Sequence, residues 1–345
     1  RDTRSTLTRL TLPVTASVTA ARVAESINLM DTQDAVKYLP SIFIRKRNNG
    51  DTQSVMGTRV WGVSSSARSL VFADGVPLSA LVANNNTIGG PRWGLVAPET
   101  IERVDMMHGP FSAAYAGNSI GAVMEITTRS PERLEGSITQ TQTIMPFDLY
   151  ATNQSFGTSQ TSARVGNRFG KLSVTLSGNY QDSKSQPLTY VTSGTIPTGT
   201  TGAIPSANKL NAPANVLGAT GLLHTRMLNV NGRIAYDITP ALRAAYSYGF
   251  WQNNGDATAE PFMTRDGAPT YAGQAGFASG TYGLLQQHTS QSLSLRTQSR
   301  GDWDFELIGT RYDIDTDRQR FASSASATGT TLGDAGRVAV LSGTG

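Results

Sequence analysis

The sequence contains no cysteine, which excludes disulfides, thiol nucleophiles and thiolate metal sites. Histidine is nearly as scarce. His108, His224 and His288 lie too far apart in sequence to suggest a zinc-type cluster. Charged residues make up only 16% of the chain and leave a net charge of +4. Beyond Arg45-Lys46-Arg47 there is no basic run, so no nucleic-acid partner is expected. No stretch of about 18 apolar residues occurs, which excludes an ordinary transmembrane helix. The chain opens at Arg1-Asp2-Thr3 without an apolar run, as a mature, trimmed or cytosolic chain would. Gly117-Asn118-Ser119-Ile120-Gly121 lacks the lysine and following helix of a phosphate loop. Met106, Met107 and His108 suggest a soft-metal cluster, but strand alternation places the two methionines on opposite faces, so packing is the expected role. No catalytic constellation is visible. An enzyme is not expected, and neither a cofactor nor a metal is implied.

What is abundant is glycine, with 35 residues, alongside many threonines, serines and asparagines. This composition favours strands joined by turns. The chain divides near residue 132. Before it, a strand-like run at 14–19, helical segments at 20–27 and 34–39 (stopped by Pro40) and strands at 41–45, 69–73, 101–107 and 123–127 describe a compact mixed α/β unit. After it, the period becomes two. Leu172, Val174, Leu176, Gly178 and Tyr180 alternate with Lys171, Ser173, Thr175, Ser177 and Asn179. Leu228, Val230, Gly232, Ile234, Tyr236 and Ile238 alternate with Asn229, Asn231, Arg233, Ala235 and Asp237. Tight connectors at 169–170, 239–240 and 300–301 alternate with long ones at 183–226, 253–287 and from 318 onward. Strands of about 9–11 residues with connectors sorted in this way predict a transmembrane β-barrel. Phe169, Tyr180, Tyr236, Tyr248, Phe250, Trp251, Trp303 and Tyr312 are candidates for its interfacial girdles. A soluble β-sandwich also alternates but would not sort its connectors so regularly.

The first part resembles the plug of TonB-dependent receptors. Leu12-Pro13-Val14-Thr15-Ala16-Ser17-Val18-Thr19 is similar to the family's opening strand. Asp34-Ala35-Val36-Lys37-Tyr38-Leu39-Pro40-Ser41-Ile42 is similar to its helix end, and Leu70-Val71-Phe72-Ala73-Asp74-Gly75-Val76-Pro77-Leu78 to its most recognisable segment. Ile101-Glu102-Arg103-Val104-Asp105, Gly109-Pro110-Phe111-Ser112-Ala113-Ala114-Tyr115-Ala116-Gly117 and Ile120-Gly121-Ala122-Val123 resemble its long second signature. The specificity lies in the order and spacing of these fragments. His108 departs from the family's arginine and Ala122 from its second glycine, and nothing in 1–10 resembles a TonB box.

The resemblance implies a mixed α/β plug domain over 1–132, followed over 133–345 by antiparallel strands of a transmembrane β-barrel of about 22 strands. About seven strands are legible before Asp317, too few to close around a plug, so the wall is expected to be incomplete. Residues 14–130 are expected to form a four-stranded mixed sheet with short helices inside the barrel. The implied function is ligand-gated transport across the outer membrane of a Gram-negative bacterium. Implied partners are TonB with its inner-membrane energising complex, a ferric siderophore or other metal chelate, and outer-membrane lipid and lipopolysaccharide. Vitamin B12, haem or oligosaccharide cargo, and a passive porin or adhesin, are the alternatives. Outward loops at 45–51, 62–66 and 83–93 imply substrate contacts at Arg45, Arg47, Asn49, Ser65, Asn85 and Trp93. The basic run 45–47 would attract an anion. Arg59, Glu102 and Arg103 are expected to lock the plug to the wall. Asp74, Gly75, Gly109, Pro110, Tyr115, Gly117 and Gly121 are expected to hold the motif turns.

Overall fold

The computed structural model describes residues 16–52, 54–58, 69–78, 91–109, 115, 119–297, 303–322 and 338–344. In the first part, β1 (Ala16–Thr19) leads into α1 (Ala20–Ser26), whose first turn is capped by the Thr19 hydroxyl accepting from Arg22 N at 3.4 Å. The helix expected over 34–39 is a short 3-10 turn at Thr32–Val36. The reason lies in Asp34, whose carboxylate reaches back to accept from Met30 N and Asp31 N at 3.1 and 2.9 Å. β2 (Ile42–Arg45) and β3 (Val55–Thr58) form a separate antiparallel ribbon.

β4 (Ser69–Ala73), β5 (Val76–Pro77), β6 (Ile101–His108) and β7 (Ala122–Thr128) join β1 in a mixed sheet ordered β1-β6-β7-β4-β5. The sheet has five strands where four were expected. The fifth, β5, is the two-residue return after Asp74-Gly75. Both turn residues have positive φ, 50° and 87°, and Ala73 pairs with Val76. That is the two-residue turn whose twist matches a β-ribbon. A Cβ on Gly75 would stand 2.7 Å from Ile308 Cδ1, which would have to turn aside, and the φ of 87° favours glycine there in any case. Val18, Val36, Met56, Val71, Leu95, Val104, Met106, Met124 and Ile126 form the core beneath this sheet. Met107 is buried on the other face with Leu70 and Val123, as alternation requires.

The second part is one antiparallel sheet. Its long strands are β8 (Glu135–Leu149), β9 (Thr152–Phe169), β10 (Leu172–Lys184), β13 (Pro213–Thr239), β14 (Leu242–Pro261), β17 (Tyr282–Thr297), β18 (Glu306–Phe321) and β19 (Val338–Thr344). They pair in chain order, and the described sheet is open, with β8 and β19 at its edges. The short β11 (Thr189–Ser193) and β12 (Ile204–Ala207) pair with the far end of β13. Much of the expected long connectors at 183–226 and 253–287 is therefore strand, and β8, β9, β10, β13, β14, β17 and β18 exceed the expected 9–11 residues. β15 (Thr264–Arg265), β16 (Ala268–Pro269) and α2 (Ala275–Ser279) fold over this extension. Phe277, Leu217, Met263 and Val191 give it a small core of its own. The β8–β9 connection is also short, which breaks the strict alternation of connector lengths.

The wall is inside-out relative to a soluble sheet. On β10, Ser173, Thr175, Ser177, Asn179, Gln181 and Ser183 are buried, whereas Leu176 and Tyr180 are 54% and 48% exposed. Their β13 partners Gly232 and Leu228, and then Ile234 and Tyr236, continue the exposed apolar face. The outward apolar run ends at Tyr180 on β10, at Phe250 on β14 and at Leu293 on β17. In register, Phe250 lies two residues and Leu293 six residues below the row of Tyr180. A level apolar band that steps down through the register means that the strands tilt across it, as in a membrane barrel. Trp251 and Tyr312, assigned from sequence to the girdles, face inward instead and pack on the plug core. Leu176→Arg, near the middle of the band, should cost about 2–4 kcal/mol in urea unfolding of the complete protein in lipid vesicles. A loss below about 0.5 kcal/mol would contradict the lipid-facing assignment.

Candidate functional site

The chemistry of this chain is concentrated where the first part meets the polar face of the wall. Three groups of contacts make that seam. The first surrounds the loop after β2. Gln160 donates to the Met30 carbonyl at 2.6 Å and Gln181 to Asp31 Oδ1 at 2.9 Å. Asn49 donates to Thr143 Oγ1 at 3.0 Å, and its carbonyl accepts from Ser183 at 2.7 Å. The second involves the 3-10 turn Trp93–Leu95. Asn231 donates to the Leu95 carbonyl at 2.9 Å and accepts from Ala97 N at 3.2 Å, while Asn229 donates to the Gly94 carbonyl. Arg92 pairs with Asp317 at 2.8 Å, both buried. Asp317 also accepts from Gln286 at 3.0 Å and lies 3.3 Å from His288 Nε2. The third group lies nearest the tight turns. Asp74 pairs with Arg233 at 2.5 Å and accepts from Thr128 N at 3.1 Å, and Arg243 donates to Ser130 at 2.6 Å. Burial pushes the Asp74 carboxyl up, but Arg233 and Thr128 outweigh it and hold the group below the usual range.

Several expected site residues have other partners. Arg47 forms a fork with Asp51, through Nε at 2.9 Å and Nη2 at 2.6 Å. Lys46 is enclosed by Asp31 and Asp34 at 3.0 and 2.8 Å. Two cations of the 45–47 run are thus neutralised internally, while Arg45 is exposed and has no ion pair among the described residues. Asn49 is occupied with the wall. Trp93 is 3% exposed and belongs to the core, its Nε1 donating to the Ser54 carbonyl at 3.4 Å, so it offers no aromatic face to a ligand. Arg103 pairs with Asp105 on its own strand at 2.7 Å, and Glu102 faces Arg129 at 3.7 Å. Neither reaches the wall. The cross-seam pairs are Arg92–Asp317 and Asp74–Arg233, which sequence reasoning missed because their partners lie far along the chain.

Gly109 must lack a side chain, since a Cβ would stand 2.6 Å from the Ser119 and Ile120 carbonyls. Gly121 accepts from Gly109 N at 3.3 Å, and Tyr115 packs on Phe72 with ring centroids 5.9 Å apart. Arg59, Ser65, Asn85, Pro110 and Gly117 lie outside the described residues.

Glu99, in the 3-10 turn Pro98–Thr100, is the strained member of the seam. Its carboxylate oxygens are buried near Ser162, Asn179 and Arg164 without a hydrogen bond of good geometry. Burial raises its pKa from 4.5 to about 7, against the opposing pull of those wall groups. A carboxyl with a raised folded value penalises the folded state progressively as pH climbs from its ordinary value, and fully above about 7. Glu99→Gln should therefore stabilise the complete protein by on the order of 2–3 kcal/mol at pH 8 and by under about 1 kcal/mol at pH 5, read from denaturant midpoints. An equal effect at both pH values would refute the titration.

Comparison with known proteins agrees with this geometry. Residues 8–123 match the family described as TonB-dependent Receptor Plug Domain. The vitamin B12 transporter BtuB of Vibrio vulnificus is 32% identical over 114 residues, which is 32% of this chain and 17% of that protein. The ferric enterobactin receptor PirA of Pseudomonas aeruginosa is 25% identical over 136 residues, 37% of this chain and 18% of its own length. The crystal structure of the ferric enterobactin receptor PfeA superposes with a TM-score of 0.58 at 16% identity, over 95% of this chain. That of the ferripyoverdine receptor of Pseudomonas aeruginosa gives 0.52 at 12% identity, over 92%. The chain spans 45% and 44% of the length of these two receptors. Residues 8–123 belong to the plug family of the TonB-dependent receptors, and the antiparallel strands that follow share the fold of those receptors' β-barrels.

Proposed function

We propose that the protein takes part in TonB-dependent active transport of a scarce substrate across the outer membrane, with the plug as the gate. The observation that carries this reading is the seam itself. Plug and wall meet through side-chain amides, backbone carbonyls and a few ion pairs, a surface that holds the plug and can be re-formed after displacement. Residues 1–132 act as plug and 133–345 as wall. TonB and its inner-membrane complex supply the work, and lipid and lipopolysaccharide surround the apolar band. The substrate proposed is a ferric siderophore or a similar metal chelate. The similarity to enterobactin receptors supports it. Asn49 of the loop 45–51 meets the wall at Thr143 and Ser183, away from the tight turn between β9 and β10, which supports Arg45 and this loop as the part of the plug a ligand would meet. Ser65 and Asn85 are proposed as further substrate contacts.

A cobalamin substrate is the second reading. The similarity to BtuB supports it, and so does the internal neutralisation of Lys46 and Arg47, which leaves the loop with little excess positive charge for a polyanion. Uptake by cells carrying the complete receptor decides between them. Labelled ferric enterobactin should accumulate, and a protonophore or loss of TonB should abolish accumulation. Accumulation of labelled cyanocobalamin alone would select the second reading. Entry of either that persists without the protonmotive force would mean a passive pore.

A further inference from the structure

Asp31 ties the segment 30–36 both to the outward loop and to the wall. Its Oδ2 accepts from Lys46 Nζ at 3.0 Å and from Gly50 N at 3.0 Å, and its Oδ1 accepts from Gln181 at 2.9 Å. Two of these donors flank the outward loop 46–50. Lys46 also donates to both oxygens of Asp34, at 2.9 and 2.8 Å. Asp34 in turn holds the Met30 and Asp31 amides. The Lys46 ammonium supplies the charged contact that closes the outward loop onto the segment 30–36, beside the Gly50 amide on Asp31 and the Gln33 amide that donates to the Asp51 carbonyl at 3.3 Å, and that segment is joined through α1 to β1.

The energetics make this closure all-or-none. Asp31 and Asp34 are 8% and 5% exposed, and burial, with the nearby Asp34 carboxylate, pushes the Asp31 carboxyl above its usual range against the pull of Lys46. Lys46 keeps its charge because the two carboxylates outweigh its desolvation. If the loop lifted alone, it would remove both Lys46 and the Gly50 amide from Asp31, leaving two buried carboxylates without a cation. Arg47 behaves differently. Among the described residues its ion pair is with Asp51, which lies within the loop itself and moves with it.

We propose that Lys46 is a positioning residue that makes the loop 46–51 and the segment 30–36 open as one unit, so that a displacement imposed on the outward loop reaches the chain leading to β1. The functional meaning rests on the transport reading. The mechanical coupling does not, and it can be measured without a substrate.

The measurement is hydrogen–deuterium exchange on the complete receptor in detergent micelles, with no ligand added. In the parent protein, peptides spanning 30–36 and 46–51 should exchange at matching rates. Lys46→Met should accelerate both at least tenfold and leave β6, at 101–108, unchanged. Arg47→Met should accelerate 46–51 only. If Lys46→Met fails to fold, the charge-balanced pair Lys46→Met with Asp31→Asn replaces it, and the two peptides should then exchange at different rates. Acceleration confined to one segment in Lys46→Met, equal loosening of β6, or opening of both segments in Arg47→Met would each overturn the proposal. Failure of uptake with coupled exchange intact would count against the transport reading and leave the coupling standing.

Discussion

A strand that faces lipid on one side and a polar interior on the other must satisfy its inner side chains without relying on hydrophobic burial. Here the requirement falls on Gln181 and Ser183 along β10, and on Asn229, Asn231 and Arg233 along β13. The plug meets it with what its irregular segments have in surplus, backbone carbonyls and amides at Met30, Asn49, Gly94, Leu95 and Ala97. The turns of the plug lie against the wall for this reason, since a regular strand would have spent those groups within its own sheet. The apolar contribution of the wall to the plug core is small by comparison. It consists of Trp251, with Met227 and Tyr312 at its edge.

The charges follow the same economy. Lys46, Arg47, Arg92, Arg103 and Arg233 are each paired with a carboxylate. Salt screens buried pairs far less than exposed ones, so they act as fixed parts of the structure. They make poor candidates for steering a ligand. A cation that recruits an anionic substrate must remain unneutralised, and within the described part of the outward loop that description suits Arg45.

The period-two runs on β10 and β13 made strand and face legible in the sequence, because alternation is local and each face meets one environment. The same logic explains the failure at 213–226. There β13 is covered by β11, β12 and α2, so that Val216, Leu217 and Ala219 are all buried and no alternation survives to be read. Aromatic identity located candidates for the girdles but not their faces. Phe250 and Trp251 are neighbours, and one looks outward while the other enters the core. Charge was the least legible property. Arg103 finds its partner two residues away, and Arg92 finds Asp317 at a separation of 225 residues. Nothing short of the fold distinguishes those cases.

The seam's composition also bears on why transport through it would need external work. Each neutral hydrogen bond contributes about 0.5–1.5 kcal/mol net, and removing one partner of a buried ion pair costs about 3–5 kcal/mol. A ligand's coupling energy is typically about 1–3 kcal/mol. That suffices to disturb one contact group, such as the hydrogen bonds of Asn49 to Thr143 and Ser183. It does not suffice to release the groups around Asp31, Arg92 and Asp74 together. Under the transport reading, substrate binding can therefore reposition part of the plug while the wall retains the rest. Under the same reading, clearing a path would take a pull on the chain, applied from the end where Asp74 meets Arg233 and Ser130 meets Arg243. Those contacts, nearest the tight turns, would be the first to bear the load.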